Sequence, residues 1–219
     1  QWLGPKRYRP PPCTIQELCE KIYIDLVMIS HNHYDHLDHP AVRWLGQNSS
    51  AQFVLPLGLQ EWFRHQVRSD LDIYELDWHE RLLYKQDLRV TSLPMRHWSN
   101  RTGDRDSTLW CGFGVHSAHH SFLFAGDTAW FDDLETMGPW DVAAIPIGAY
   151  EPREFMKNNH INVNEAVRMK DALQARAAVP VHWGTFALTT EPVLEPREKL
   201  IEFMKDRSDA ESFVPSLIG

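Results

Sequence analysis

A run of six residues, His31-Asn-His33-Tyr-Asp35-His36, constrains this chain more than any other feature. It supplies three imidazoles and one carboxylate, which are side chains that bind zinc and related metals. In an extended loop, residues two apart point the same way, so His31 and His33 can bind one metal while Asp35 and His36 turn toward a second. The run therefore predicts a metal centre shared between two ions. The alternative is a solvated, histidine-rich turn.

Strand and helix patterns alternate around this run. Residues 22–30 are largely apolar and β-branched, which predicts a buried strand that ends where the histidines begin. Further strands are predicted at residues 52–56, 72–77, 88–94, 108–115, 121–125, 142–147 and 177–181, and helices at 38–44, 59–67, 164–175 and 196–207. Because the alternation shows no internal repeat and no linker, we expect one α/β domain over residues 1–219.

Three isolated residues at the ends of later predicted strands extend the metal hypothesis. They are His97, Asp127 and His182. Taken alone, His97 would be a surface histidine and Asp127 a carboxylate in a turn. His182 alone would be a core histidine whose hydrogen bonds are satisfied. With the six-residue run, His97 completes a three-histidine set and Asp127 adds a bridging negative charge between two cations. Two zinc ions about 3.5–4 Å apart would hold a hydroxide and lower its pKa.

The segment around His97 carries three arginines, Arg96, Arg101 and Arg105. Arginine recognises phosphate by paired hydrogen bonds, so Arg101 is a candidate substrate contact. The alternative is a polar loop with balancing acidic residues.

Composition narrows the class of partner. A net charge of −8 over 219 residues argues against nucleic acid, which needs a broad electropositive surface. The three cysteines, Cys13, Cys19 and Cys111, form no CxxC pair, which disfavours a disulfide framework and fits an intracellular location. With no apolar run of about 18 residues, any membrane contact is expected to be peripheral.

The HxHxDH run is followed by a distant histidine, a strand-end aspartate and a last histidine. This order of motifs resembles that of the metallo-β-lactamase superfamily. This resemblance implies a four-layer αβ/βα sandwich with its metal site at one edge between the sheets. Longer segments are similar to the N-acyl-phosphatidylethanolamine-hydrolysing phospholipase D family: FAGD at residues 124–127, AAIPIGAYEPR at 143–153 and HWGTFAL at 182–188.

The second resemblance implies hydrolysis of N-acyl-phosphatidylethanolamine to an N-acylethanolamine and phosphatidic acid through a metal-bridging hydroxide. It implies a dinuclear zinc centre in which one ion is bound by His31, His33 and His97, the other by Asp35, His36 and His182, with Asp127 bridging. It also places His160 near the substrate phosphate. The candidate catalytic residues are therefore Asp35, Asp127 and His160.

The same resemblance implies a homodimer attached peripherally to a membrane. Family members carry further strands and a loop before the segment that matches Gly4 and Pro5, so the chain is expected to be truncated at its N-terminus and to lack the first strands of the fold. Two alternatives stand beside the lipid hydrolase: a related soluble metal-dependent ester or lactone hydrolase, and a fragment that binds zinc without catalysing a reaction.

Overall fold

The structure, a computed structural model, describes Pro5 and residues 7–216. Gly4, from which the N-terminal truncation is predicted, lies outside the described residues. The chain divides into two compact units. The N-terminal unit comprises Pro11–Pro94 and Trp98–Phe113. Of the described residues, the C-terminal unit comprises Pro5, 7–10, Met95–His97 and 114–216. The single domain over residues 1–219 stays a prediction.

The N-terminal unit combines a parallel sheet, helices and a hairpin. Its elements are α1 (Ile15–Lys21), β1 (Leu26–Met28), α2 (His39–Asn48), β2 (Gln52–Pro56), α3 (Gln60–Gln66), β3 (Ile73–Leu76), β4 (Arg81–Tyr84) and β5 (Leu88–Leu93). Strands β1, β2 and β3 lie in that order and all pair in parallel. Strands β4 and β5 pair antiparallel.

Two local features favour the start of helix α2 at His39, shortly after the histidine run. The Asp38 side chain accepts a hydrogen bond of 3.1 Å from the Ala41 backbone N–H, and Pro40 occupies the first turn. A side-chain cap of this kind satisfies a helix N–H that has no partner within the helix. The predicted start of this helix is therefore confirmed.

The core of the N-terminal unit lies between its parallel sheet and its helices. Phe53 and Leu55 of β2 are fully buried with Phe63 of α3 and Leu37. Full burial of one such side chain is worth about 1.5–3 kcal/mol. Because Leu37 follows His36 directly, the core anchors the chain at the end of the histidine run.

The C-terminal unit contains further strands and helices. Strand β6 (Gly112–His116) begins at the last residues of the N-terminal unit. The remaining elements are β7 (Ser121–Phe124), a 3-10 helix (Asp132–Thr136), β8 (Trp140–Pro146), α4 (Arg153–Met156), α5 (Val163–Ala172), β9 (Ala175–Val181), α6 (Glu195–Met204) and a 3-10 helix (Ala210–Ser212). Strands β7, β8 and β9 pair in parallel, with Ala144 of β8 opposite Phe124 and Val179.

Helix α5 carries a buried charge on its inner face. The helix is capped reciprocally by Asn162 and Glu165. The ammonium of Lys170, 5% exposed, donates to the Asp209 carboxylate at 2.7 Å. Arg207 donates to both Asp209 and Asp171. This network joins α5 to the chain that follows α6.

Several elements differ from the sequence expectation. The first strand is shorter than predicted, Leu26–Met28, and α1 and β4 were not predicted. Helix α5 ends at Ala172, three residues early, because Gln174 takes a left-handed φ of 48° and turns the chain into β9. Between residues 7 and 216 no helix has the length and apolar content needed to cross a bilayer.

Replacing Asp209 by asparagine should destabilise the C-terminal unit by about 1–3 kcal/mol, because the buried Lys170 ammonium loses its charged partner. Hydrogen bonds from Arg207 and then Lys170 lower the pKa of Asp209 below its ordinary 3.8. The carboxylate therefore stabilises the fold above pH 3.8 and loses this effect as the pH falls through its folded pKa. Urea unfolding of Asp209→Asn against wild type at pH 7 and pH 3 measures both effects. The exposed Asp206→Asn is the control; an equal effect there would contradict the prediction.

Candidate metal centre

The first candidate ligands lie in the N-terminal unit, on the loop after β1. His31 is buried, its Nδ1 lies 3.0 Å from the Ser30 hydroxyl, and its Nε2 lies 2.9 Å from Nδ1 of His33. The His33 ring packs edge-on against Trp98, with centroids 4.4 Å apart. The two imidazoles therefore present ring nitrogens to the same point, as the sequence predicted for residues two apart.

A tight turn brings Asp35 and His36 together on the same loop. The His33 carbonyl accepts hydrogen bonds from the backbone N–H groups of His36 at 3.1 Å and Leu37 at 2.8 Å. As a result, Oδ2 of Asp35 lies 3.4 Å from Nε2 of His36. Six consecutive residues thus form two donor pairs, and within each pair the available donor atoms lie within 4.8 Å of each other.

The remaining candidates surround a buried carboxylate in the C-terminal unit. Asp127 follows β7 after Gly126, whose φ of 63° turns the chain inward, and it is 5% exposed. Its Oδ2 lies 3.4 Å from Nε2 of His182, 3.7 Å from Nε2 of His97 and 4.0 Å from Nδ1 of His160. The rings of His160 and His182 are stacked, 14° from parallel. The structure therefore brings together His97, Asp127, His160 and His182, all of which were named as candidate site residues from the sequence.

A backbone carbonyl fixes the orientation of the His97 ring. Its Nδ1 lies 3.0 Å from the backbone carbonyl of Asn159. Because a carbonyl can only accept, Nδ1 carries the hydrogen, and a neutral His97 then presents the Nε2 lone pair toward Asp127. Metal-binding histidines are commonly oriented in this way. Asn159 was not predicted, since nothing in the sequence links it to His97.

The donor set fits zinc or a similar divalent transition metal. Imidazole nitrogens and carboxylate oxygens are ligands of borderline character, and a carboxylate buried among histidines needs a cation or several hydrogen-bond donors to offset its desolvation. Among the described residues, both groups of candidate ligands contain only histidine and aspartate. The fit therefore rests on histidine and aspartate alone.

His182 owes its position to a close approach between two segments of the C-terminal unit. Its backbone takes a left-handed φ of 60° immediately after β9. A Cβ added at Gly148 would lie 2.1 Å from the His182 carbonyl oxygen. Glycine at position 148 is therefore required by space, and a candidate ligand is held in a conformation that non-glycine residues rarely adopt.

Glu191 organises the loop after β8, although no sequence pattern predicted this role. Its carboxylate accepts hydrogen bonds from the backbone N–H groups of Ala149, Tyr150 and Glu151, at 2.7, 3.2 and 3.1 Å. Thr189 donates to the same carboxylate at 2.6 Å. This contact fixes the segment that starts beside Gly148, forty residues earlier in the chain.

The predicted substrate contact Arg101 lies in the N-terminal unit beside the histidine loop. Its Nη1 donates to the carbonyls of Asn32 at 3.1 Å and Leu37 at 2.9 Å. Nη1 of Arg101 therefore already has two protein partners. A direct contact between Arg101 and substrate stays a prediction.

Replacing Gly148 by alanine should displace the His182 carbonyl, destabilising the fold by about 1–3 kcal/mol as overpacking does and weakening metal binding. Thermal unfolding with and without zinc, together with a zinc titration, measures both effects. The matched control is Ala149→Gly at the next residue. Ala149 has a φ of 62°, so glycine there relieves strain and should be neutral or mildly stabilising. Unchanged stability and zinc affinity in Gly148→Ala would contradict the assignment.

Comparisons with known proteins agree with this geometry. The chain is 41% identical, over its whole length, to N-acyl-phosphatidylethanolamine-hydrolyzing phospholipase D 1 of Caenorhabditis elegans and covers 65% of that protein. It is 35% identical to the mitochondrial N-acyl-phosphatidylethanolamine-hydrolyzing phospholipase D of Saccharomyces cerevisiae, over 90% of this chain and 44% of that protein. The chain thus spans about half to two thirds of the length of these curated relatives.

The fold itself matches solved structures. The metallo-β-lactamase fold protein YhfI from Bacillus subtilis superposes with a TM-score of 0.63 at 15% identity, covering 94% of this chain and 80% of that one. The α/β fold class predicted from the sequence is therefore confirmed. A family model described as the β-lactamase superfamily domain matches residues 1–183. The chain belongs to the β-lactamase superfamily.

Proposed function

We propose that this protein is a zinc-dependent phosphodiesterase that hydrolyses N-acyl-phosphatidylethanolamine to an N-acylethanolamine and phosphatidic acid. The observation that carries the proposal is the buried Asp127 carboxylate, which has three histidines of its own unit within 4.0 Å. The similarity to two phospholipases D that act on this lipid supports the substrate class.

In this proposal the candidate ligands form two sets, and each set would hold one ion. One set would be His31, His33, His97 and Asp127, and the other Asp35, His36, His182 and Asp127. Each set offers at least two imidazoles and shares one carboxylate, which suits a dinuclear zinc site. When bound, two zinc ions supply Lewis-acid activation of water and stabilise charge on the reacting phosphate. Asp127 holds negative charge between them, and His97 and His182 are oriented by their own backbone contacts.

His160 has a separate role in the proposal. Its Nδ1 lies 4.0 Å from Asp127, farther than the nitrogens of His97 and His182. Its backbone carbonyl accepts a 2.7 Å hydrogen bond from Arg153. We assign it to the substrate, where its ring donates a hydrogen bond to a phosphate oxygen.

A phospholipid substrate requires contact with a bilayer, so peripheral membrane association at an intracellular membrane belongs to the same proposal. An exposed aromatic side chain beside the candidate ligands is compatible with such contact: Tyr34, between His33 and Asp35, is 51% exposed. The homodimer implied by the resemblance stays a prediction.

Replacing Asp127 by asparagine should lower zinc-dependent release of N-acylethanolamine from vesicles by on the order of 100-fold or more, because the buried charge that holds both ions is lost. Release is measured by mass spectrometry with zinc-loaded protein. The control is Asp133→Asn, an exposed aspartate six residues later, which should retain wild-type activity.

Two results would decide against the lipid substrate. Turnover of soluble esters or lactones without release from vesicles would identify the related soluble hydrolase. Stoichiometric zinc without turnover of either substrate class would identify a binding protein that is not an enzyme.

Replacing His160 by glutamine should lower turnover by about 100-fold while the protein keeps its full zinc content, as expected for a residue that contacts substrate. His182→Gln should instead lose zinc, because it removes a ligand. Zinc content by atomic emission and turnover on the same samples distinguish the two roles. If His160→Gln loses as much zinc as His182→Gln, His160 is a metal ligand and the assignment is wrong.

A further inference from the structure

Arg101 joins the two ends of the histidine loop within the N-terminal unit. One guanidinium nitrogen, Nη1, donates to the carbonyl of Asn32 at 3.1 Å and to the carbonyl of Leu37 at 2.9 Å. Asn32 lies between His31 and His33, and Leu37 follows His36. The two carbonyls therefore lie at the two ends of the segment that carries His33, Asp35 and His36. Because both carbonyls accept from the same nitrogen, that atom sets the distance between them.

Two aromatic rings hold the guanidinium in place. Its Cζ lies 4.3 Å from the ring centroid of Tyr34, in the middle of the loop, and 4.9 Å from that of Trp62 on α3. Burial lowers the pKa of Arg101, but an arginine remains charged at any physiological pH. A planar guanidinium can stack on rings and donate in its plane at the same time, which a lysine ammonium cannot do.

The backbone of Arg101 is fixed by Asp104. One carboxylate oxygen accepts hydrogen bonds from the N–H groups of Arg101 at 2.6 Å and Thr102 at 2.9 Å. Burial by itself raises the pKa of Asp104, but these backbone hydrogen bonds outweigh it and hold the pKa below its usual range. The carboxylate is therefore ionised at neutral pH and keeps the turn closed.

We propose that Arg101 is a positioning residue for metal binding, which acts by holding the carbonyls of Asn32 and Leu37 so that His33, Asp35 and His36 keep the spacing that two ions need. Its contribution runs through the loop and not through the substrate phosphate. Carbonyls shielded from water need donors, so loss of the guanidinium frees the loop to rearrange. This inference rests on the proposed metal binding, but not on the lipid substrate.

Replacing Arg101 by glutamine should weaken zinc binding by 10- to 100-fold, the usual effect of removing a group that orients metal ligands. Calorimetric titration of metal-free protein with zinc measures the affinity, independently of activity. The control is Arg105→Gln in the same loop. Arg105 also lies against an aromatic ring, Trp98 at 5.0 Å, and pairs with Asp106, but its side chain is 71% exposed. It should bind zinc as wild type does.

Kinetics separate positioning from substrate contact. At saturating zinc, Arg101→Gln should regain the wild-type KM for N-acyl-phosphatidylethanolamine vesicles. Unchanged zinc affinity with a raised KM would overturn the inference and make Arg101 a phosphate contact. Wild-type protein that binds no zinc would overturn the proposed function itself, which is a different result.

A second variant keeps the inference testable if Arg101→Gln does not fold. Asp104→Ala leaves the guanidinium in place but removes the carboxylate that fixes the backbone of Arg101 and accepts a 3.5 Å hydrogen bond from the Asn32 side chain, so zinc affinity should fall several-fold. Thermal unfolding of the metal-free variant checks that it is folded. Wild-type zinc affinity in Asp104→Ala would count against the proposed mechanism.

Discussion

The burial of the Asp127 carboxylate among histidines is the constraint on which the candidate site depends. A carboxylate that is 5% exposed carries a desolvation cost of several kcal/mol unless positive charge or hydrogen bonds offset it. Three histidine side chains surround it: His97 and His182 direct Nε2 toward Oδ2, and His160 packs on His182.

Several candidate ligands are held in place by contacts with residues that lie far away in the sequence. The carbonyl of Asn159 orients His97, Gly148 gives space for the backbone of His182, and Arg101 closes the histidine loop. Rigid supports of this kind favour a site that is formed before the ion arrives, because little ordering then opposes binding. They also explain why glycine at 148 and glutamate at 191 matter although neither is a ligand.

Part of the architecture followed from local pattern alone. The apolar runs at β2, β7 and β8 and the capped start of α2 were predicted within one or two residues, because hydrophobic periodicity and caps act over a few positions. Helix α1 was not predicted, because none of its residues is buried and its capping box at Thr14 directly follows a proline-rich stretch. Strand β4 was missed because its exposed and half-buried residues pair only with β5.

The sequence by itself determined the chemistry of the site. The HxHxDH run and the strand-end positions of His97, Asp127 and His182 specify which donors are available, because residue type and strand direction are local properties. Only the tertiary structure decided how those donors are oriented, through contacts such as Glu191 with Ala149 and Arg101 with Leu37, which join residues 42 and 64 positions apart. Such contacts leave no periodic signal, since they depend on where the folded chain brings distant backbone groups together.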